Sequence, residues 1–133
     1  MHPNERLIRD FYREQRRFYA GEASSERLEA LLAPDVVWHV PGRSAIAGEH
    51  RGREGVLRYF ERRRDVARNS FRIEPGTLLA GDELVVHFAT GRAEIDGSSR
   101  RWETIGVFRI AGGRIAECRL LPFDQYAFDE IWS

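Results

Sequence analysis

A histidine occupies the middle of a strand-like segment, on the face whose other residues are small. His87 alternates with Ala89 and Gly91, and side chains two residues apart along a strand share one face of a sheet. An imidazole titrates near neutral pH, so it can act as a base, an acid or a hydrogen-bond partner. His87 is therefore the first candidate for proton transfer beside a ligand. The competing interpretation is a buried histidine whose hydrogen bond goes to Thr104 or Tyr12.

Two more polar side chains stand at predicted strand ends, where ligands are often bound. His39 comes just before Pro41-Gly42, a pair that stops a strand and turns the chain. Asp124 follows the last predicted strand. Either residue could assist a catalytic histidine. Without that role, His39 packs at the rim or the surface, and Asp124 caps the terminal turn that runs from Tyr126 to Trp132.

The same alternation predicts a ligand pocket with an apolar wall. Ala89, Gly91 and Gly106 are small residues on the inner face of neighbouring strands, so they are expected to leave space above the middle of the sheet. Aromatic residues on that face can stack on a flat or apolar ligand. Cys118 is expected to be a small wall residue and not a reactive thiol. The predicted pocket residues are Tyr12, Trp38, Val40, Phe60, Ala89, Trp102, Thr104, Phe108, Cys118 and Leu120.

The elements that position these residues are helices first and strands afterwards. Apolar residues at helical spacing predict helices over Asn4–Ala20, over a short segment capped by Ser24 or Ser25, and from about Glu54 to Ala67. The segment between the first strand and the third helix reads as a loop through Gly48 and Gly52. Strands are predicted at Val36–Val40, Phe71–Leu79, Leu84–Ile95, Arg101–Ile110 and Arg114–Phe123.

Glycine-containing turns separate the last four strands and predict consecutive hairpins. The turn signals are Gly81-Asp82, Asp96-Gly97 and Gly112-Gly113. Helices followed by such a sheet must pack against it, so the fold class is α+β, with the helices in the concavity of the sheet. The opposite, convex face is too apolar for solvent, which predicts a homodimer through that face. Its apolar residues are Val86, Phe88, Ile105, Val107, Leu121 and Phe123.

Composition excludes several classes of partner. The chain has 133 residues with 21 basic and 21 acidic side chains, so no global field attracts nucleic acid or an anionic membrane. The run Arg62-Arg63-Arg64 reads as a solvated helix surface. The four histidines and the one cysteine lack metal-ligand spacing, and no metal or cofactor is expected. The N-terminal segment lacks the apolar core of a signal peptide, and no run is long enough to span a membrane, so a cytoplasmic location is expected.

The whole chain resembles the SnoaL-like branch of the NTF2-like superfamily. The resemblance is carried by motifs in order: AGE after the first helix, LLAPDVVWHVPG, AGEHRGREGVLRYF, the four strands and PFDQYAFDEIW. It implies one domain over residues 1–133, a cone in which three N-terminal helices pack in a strongly curved, mostly antiparallel half-open barrel around a pocket. It also implies a dimer through the convex sheet. Members include ketosteroid isomerases, polyketide cyclases, epoxide hydrolases, dehydratases and non-catalytic binders, so the fold does not determine a reaction.

The isomerase pattern does not carry over to this chain. By resemblance, the general-base aspartate of the isomerases falls at Val40 or His39, and their second aspartate falls at Gly106. Their oxyanion tyrosine falls near Glu14 or Gln15. Glycine has no side chain to donate a hydrogen bond to an enolate, so the sequence argues against steroid isomerisation.

Three functions stay open. The first is a cofactor-independent isomerase, cyclase, dehydratase or hydrolase that transfers protons to a small apolar or aromatic substrate in a hydrophobic pocket. His87 would carry the proton, with Asp124 or His39 as its helper. The second is a non-catalytic carrier or sensor with the same pocket, motivated by the missing isomerase aspartates. A protein-interaction module is a third possibility, which would need an exposed apolar patch beyond the dimer face.

Overall fold

The computed structural model describes all residues from Met1 to Ser133 and has the α+β class that the sequence predicts. Two helices begin the chain, strands β1 and β2 and a third helix follow, and then come the other four strands of the six-stranded sheet and a fourth helix. No helix is both long and apolar enough to cross a membrane. The elements are α1 Pro3–Tyr19, α2 Glu26–Ala30, β1 Leu32–Val40, β2 Gly48–Arg51, α3 Gly52–Val66, β3 Arg72–Ala80, β4 Leu84–Ile95, β5 Ser98–Ala111, β6 Arg114–Pro122 and α4 Gln125–Ile131.

The sheet is curved and unclosed, with strand order β2-β1-β6-β5-β4-β3. All neighbouring strands are antiparallel except β1 and β6, which run parallel. Two of the predicted hairpin turns have positive φ at both central residues: 52° and 77° at Asp96-Gly97, and 59° and 73° at Gly112-Gly113. These angles suit the tight turns whose twist matches that of the flanking strands. The meander β3 to β6 therefore forms as the turn residues predict.

Helices α1 and α3 lie in the concavity of the sheet and supply seven of the 26 residues of the hydrophobic core. Helix α1 begins at Pro3, where the ring of His2 accepts a hydrogen bond from the backbone N–H of Asn4 at 3.0 Å. Ile8, Phe11 and Phe18 are buried along one face of this helix at spacings of three and seven residues. They pack on inward residues of the strands, so α1 forms one wall of the molecule's interior.

Two elements differ from the sequence prediction. The segment predicted as a loop contains β2, which pairs antiparallel with β1, with Trp38 opposite His50 and His39 opposite Glu49. Its four residues alternate too little to be recognised as a strand, and pairing with β1 determines their conformation. The predicted terminal turn is the helix α4; its Phe128, and Trp132 directly after it, are buried at the end of the core.

The convex face of the sheet carries exposed apolar side chains. Phe88, Ile105 and Leu121 are in register across β4, β5 and β6, so they form a continuous row. Phe88 is 39% exposed and Leu121 is 49% exposed. The row is thus the kind of surface that a partner covers, as the sequence prediction of a homodimer requires.

Candidate functional site

A small cavity lies between α1, α3, α4 and the concave face of the sheet. Its volume is about 30 Å³, which is room for about two water molecules. No acidic residue contributes to the wall. The lining residues are Phe11, Tyr12, Gln15, Trp38, Arg63, Phe71, Ile73, Trp102, Thr104, Gly106, Phe108, Leu120, Phe128 and Trp132.

Six of the predicted pocket residues line this cavity and four do not. The six are Tyr12, Trp38, Trp102, Thr104, Phe108 and Leu120. Phe60 lies one layer deeper, with its ring centroid 5.1 Å from that of Trp38. Cys118 is fully buried beside Trp38 in the parallel pair of strands, and Ala89 is buried opposite Thr104. Val40 is buried at the end of β1 and borders a shallow surface depression instead.

The predicted open space above Gly91 does not exist, because the indole of Trp102 fills it. Trp102 stands directly opposite Gly91 on β5, and its ring lies over the glycine so closely that an added Cβ would overlap it. The indole also packs against the rings of Phe71, Phe128 and Trp132, at centroid distances of 5.8, 6.3 and 5.4 Å. The space that the small residue Gly91 leaves on the sheet is thus occupied by the side chain of Trp102, and the remaining cavity is correspondingly small.

Three polar atoms on residues of the cavity wall are buried without a hydrogen-bond partner. They are the indole nitrogens of Trp38 and Trp132 and the hydroxyl oxygen of Thr104. A buried polar group without a partner is destabilising by about 1–3 kcal/mol, so most native proteins avoid it. Indole N–H groups only donate, and a hydroxyl can donate or accept. These three atoms belong to residues of the cavity wall, so they are the nearest unpartnered groups to a molecule that enters it.

His87 lies behind the cavity and holds the hydroxyl of Tyr12. The His87 side chain is fully buried, and its Nδ1 is 2.9 Å from Tyr12 Oη. The backbone N–H of Gly76 donates to His87 Nε2 at 3.3 Å, so in the neutral ring Nδ1 carries the proton and donates to Tyr12. The tyrosine O–H then has no acceptor on His87 and is left as a donor.

Burial determines the protonation states of this pair. Desolvation, with a smaller contribution from the charge of Arg9, lowers the pKa of His87 to about 4, so the ring is neutral at pH 7. Desolvation also raises the pKa of Tyr12 well above its ordinary value. The hydrogen bond to Tyr12 is the buried-histidine arrangement that the sequence left open. With one nitrogen bonded to Tyr12 and the other to Gly76, His87 positions the tyrosine and does not itself line the cavity.

The middle arginine of the run in α3 is buried, although the sequence indicated a solvated surface. Arg63 is 6% exposed, lines the cavity, and donates from Nε to Tyr19 at 2.8 Å and from Nη1 to Tyr59 at 2.7 Å. Its guanidinium carbon lies 4.1 Å from the centre of the Phe71 ring, a cation–π contact. The signal was present in the sequence, because residues 56, 59, 60 and 63 have the spacing of one helix face.

The two strand-end candidates lie outside the cavity. His39 points to the convex side, where Nε2 is 2.8 Å from a Glu117 oxygen and Nδ1 is 3.3 Å from Glu49. The hydrogen bond from His39 is the main reason that the pKa of the Glu117 carboxyl is lowered. Asp124 is exposed and accepts a hydrogen bond from the backbone N–H of Ala127 at 3.0 Å, so it caps α4. These positions follow from strand alternation at His39 and from helix capping at Asp124.

The fold and the cavity define a class of small α+β proteins in which helices close the concave side of a curved sheet around an aromatic interior. The chain belongs to the SnoaL-like domain family, which matches residues 8–118. The predicted membership of the SnoaL-like branch of the NTF2-like superfamily is thereby confirmed.

Solved structures of other proteins share this fold over nearly their whole length. Bal32a, from a soil-derived mobile gene cassette, is 30% identical, with a TM-score of 0.87 and coverage of 98% of this chain and 97% of Bal32a. TerC, co-crystallized with polyporic acid, is 22% identical, with a TM-score of 0.82 and 97% of both chains covered. An NTF2-like protein of unknown function from Burkholderia pseudomallei is 22% identical, with a TM-score of 0.79 and coverage of 100% and 99%. No curated protein sequence matches the chain.

Proposed function

We propose that this protein binds a small molecule with an aromatic or apolar body and at least one oxygen that accepts hydrogen bonds. The observation that carries the proposal is the set of unpartnered polar atoms of Trp38, Thr104 and Trp132 in the wall of an otherwise aromatic cavity. An accepting oxygen would pair with donors that are left without partners in the free protein. Aromatic rings around the rest of the cavity favour a flat apolar body.

Binding of such a molecule requires the cavity to enlarge. A volume of about 30 Å³ is too small for an aromatic ring. Phe128 and Trp132 form one end of the cavity, and they belong to α4 and to the residue after it. A shift of this seven-residue terminal helix would open that end without breaking the sheet or the long helices. We therefore place the entrance at α4.

A second candidate function is proton-transfer catalysis in the same cavity. The observation that favours it is the hydrogen bond between His87 and Tyr12, in which the tyrosine oxygen accepts and its O–H is left as a donor. A hydroxyl donor in a water-poor site can stabilise a developing oxyanion during isomerisation, cyclisation or dehydration. Tyr12 would be the acid and His87 its positioning residue. The wall contains no carboxylate to serve as the base, so binding without chemistry is the function that the geometry favours.

Replacement of Thr104 by valine tests the binding proposal. Valine has the shape of threonine without the unpartnered hydroxyl, so the free energy of unfolding of the unliganded protein should rise by about 1 kcal/mol. The affinity for the ligand should fall about tenfold, because one hydrogen bond to its oxygen is lost. The measurements are thermal denaturation and native mass spectrometry of the molecule that co-purifies with each variant.

The control for Thr104→Val is Thr90→Val, which makes the same change at a half-exposed position of β4 that does not line the cavity. It should leave the retained ligand unchanged. Equal ligand retention in wild type and Thr104→Val would contradict the proposed site. A co-purified molecule that is returned unaltered supports binding, whereas conversion of added ligand to a product supports the catalytic function.

We also propose that the protein is a homodimer through the convex sheet. The row of Phe88, Ile105 and Leu121 supports it, and Leu121→Glu should convert the dimer to monomers by placing a charge in the middle of an apolar contact. Light scattering at micromolar concentration measures the mass. Tyr126→Glu is the control, because Tyr126 is 91% exposed on α4, away from the sheet. A monomeric wild-type protein would contradict this proposal.

A further inference from the structure

Arg63 is a buried cation in the wall of the cavity, and no carboxylate is paired with it. Its side chain is enclosed by aromatic rings, with the guanidinium carbon 4.6 Å from the centre of the Tyr59 ring and 5.5 Å from that of Phe60. Two exposed or half-exposed arginines of this helix do have an anionic partner: Arg58 pairs with Glu54 at 3.6 Å, and Arg64 pairs with Asp65 at 3.5 Å. Arg63 alone among these three is buried and lacks an anion.

The groups that touch Arg63 are neutral at physiological pH. Desolvation raises the pKa of the Tyr19 and Tyr59 hydroxyls that accept its hydrogen bonds, so neither is a phenolate. Burial likewise raises the pKa of the nearby Cys118 thiol. Cation–π contacts offset part of the cost of burying the charge, but they do not neutralise it. The protein interior therefore holds a net positive charge next to the cavity.

One nitrogen of the guanidinium is still available as a donor. Nε and Nη1 donate to the two tyrosine hydroxyls, while Nη2 donates to no protein atom. Trp38, Thr104 and Trp132, whose polar groups lack partners, line the same cavity, and so does Tyr12. The wall thus combines one positive charge with several donors and no acidic residue.

We propose that the ligand of this cavity is an aromatic organic anion, whose charged oxygen pairs with Arg63 while its rings lie among the aromatic side chains. The inference rests on the proposed binding function and narrows its ligand class. A carboxylate, a phenolate and an enolate all present the required anionic oxygen. A charge-assisted hydrogen bond in a water-poor site is stronger than a neutral one, so the charge should dominate selection among ligands of equal shape.

The test compares each acid with its uncharged amide on the wild-type protein. Benzoate and 2-naphthoate are titrated beside benzamide and 2-naphthamide by isothermal calorimetry at pH 7, with 4-nitrophenolate as a phenolate probe. Each acid should bind at least about tenfold more tightly than its amide, because shape and size are nearly the same and only the charge differs. This comparison needs no variant, so it does not depend on whether a substitution at Arg63 folds.

Arg63→Gln assigns the preference to this residue, and Arg58→Gln is its matched control on the exposed side of the same helix. Arg58 is 68% exposed, so its loss should leave acid binding within about twofold. Arg63→Gln should reduce acid binding to the level of the amide. Thr104→Val should weaken the binding of the acids and of the amides to the same extent. That result would show that both kinds of ligand bind in the cavity.

The outcomes separate this inference from the proposed function. If acids and amides bind equally tightly and Thr104→Val weakens both, the cavity binds ligands but the charge inference is overturned. If acids bind tightly and Arg63→Gln binds them as well as wild type does, the inference is also overturned, because the anion then sits elsewhere. If no probe of either kind binds to the folded protein, both the inference and the proposed function are overturned.

Discussion

Replacement of Gly91 by alanine is expected to destabilise the protein by about 3 kcal/mol. A Cβ at this position would overlap atoms of the Trp102 indole, which lies across the strand pair. The indole packs against Phe71, Phe128 and Trp132, so it cannot move aside without disturbing this aromatic cluster. Overpacking of a well-filled core is destabilising by about 1–3 kcal/mol, and a clash with a restrained tryptophan belongs at the upper end of that range.

Urea denaturation measures this effect, and thermal denaturation should show a fall in Tm of about 10 °C for a domain of this size. Gly81→Ala is the control, because the nearest atom to its added Cβ is a backbone oxygen at 3.5 Å, an ordinary contact. Its stability should stay within about 0.5 kcal/mol of wild type. A Gly91→Ala protein as stable as that control would mean that the indole of Trp102 is not tightly held.

Local patterns were sufficient to predict most of the fold. Strands β3 to β6 alternate between apolar and polar faces, and the turns between them carry glycine where positive φ is needed, so their limits can be read to within a few residues. Helix α1 has an apolar stripe long enough to be unambiguous. Strand β2 was not predicted, because its four residues carry no strand pattern of their own. Its conformation is determined by pairing with β1.

The candidate site was harder to predict, because it depends on which side chain fills a given space. Alternation placed Trp102 and Gly91 on the inner face correctly, but it could not show that the indole leans over the glycine. The same rule correctly placed His87 on the inner face, but it could not show that Tyr12 lies between this histidine and the cavity. The burial of Arg63 was not predicted, because it lies in a run of three arginines and charge patterning favours a surface position for such a run. Only the helical spacing of its neighbours indicates that it is buried. Contacts between elements decide all three positions.

Lowering the pH from 7 to 5 is expected to reduce the free energy of unfolding by about 2 kcal/mol through His87 alone. Burial lowers the pKa of this histidine from 6.5 to about 4 in the folded protein. As the pH falls below 6.5, the unfolded chain therefore takes up a proton that the folded protein does not bind. The linkage slope approaches about 1.4 kcal/mol per pH unit, so the contribution is complete above the unfolded pKa and is lost as the pH falls toward 4.

His87→Gln isolates this contribution, since glutamine does not titrate. Urea denaturation at pH 7, 6 and 5 should give a clearly shallower pH dependence for the variant than for wild type, whatever its absolute stability. His50→Gln is the comparison, because desolvation lowers the pKa of His50 as well, but that ring is half-exposed and its share of the slope should be the smaller. The carboxyls of Glu49 and Glu117 have lowered pKa values and lose their stabilising effect only below their ordinary range, so pH 5 to 7 reports mainly on histidine. Equal pH dependence in wild type and His87→Gln would show that the ring is not kept neutral by burial, and Tyr12 would then lose its neutral partner in the proposed site.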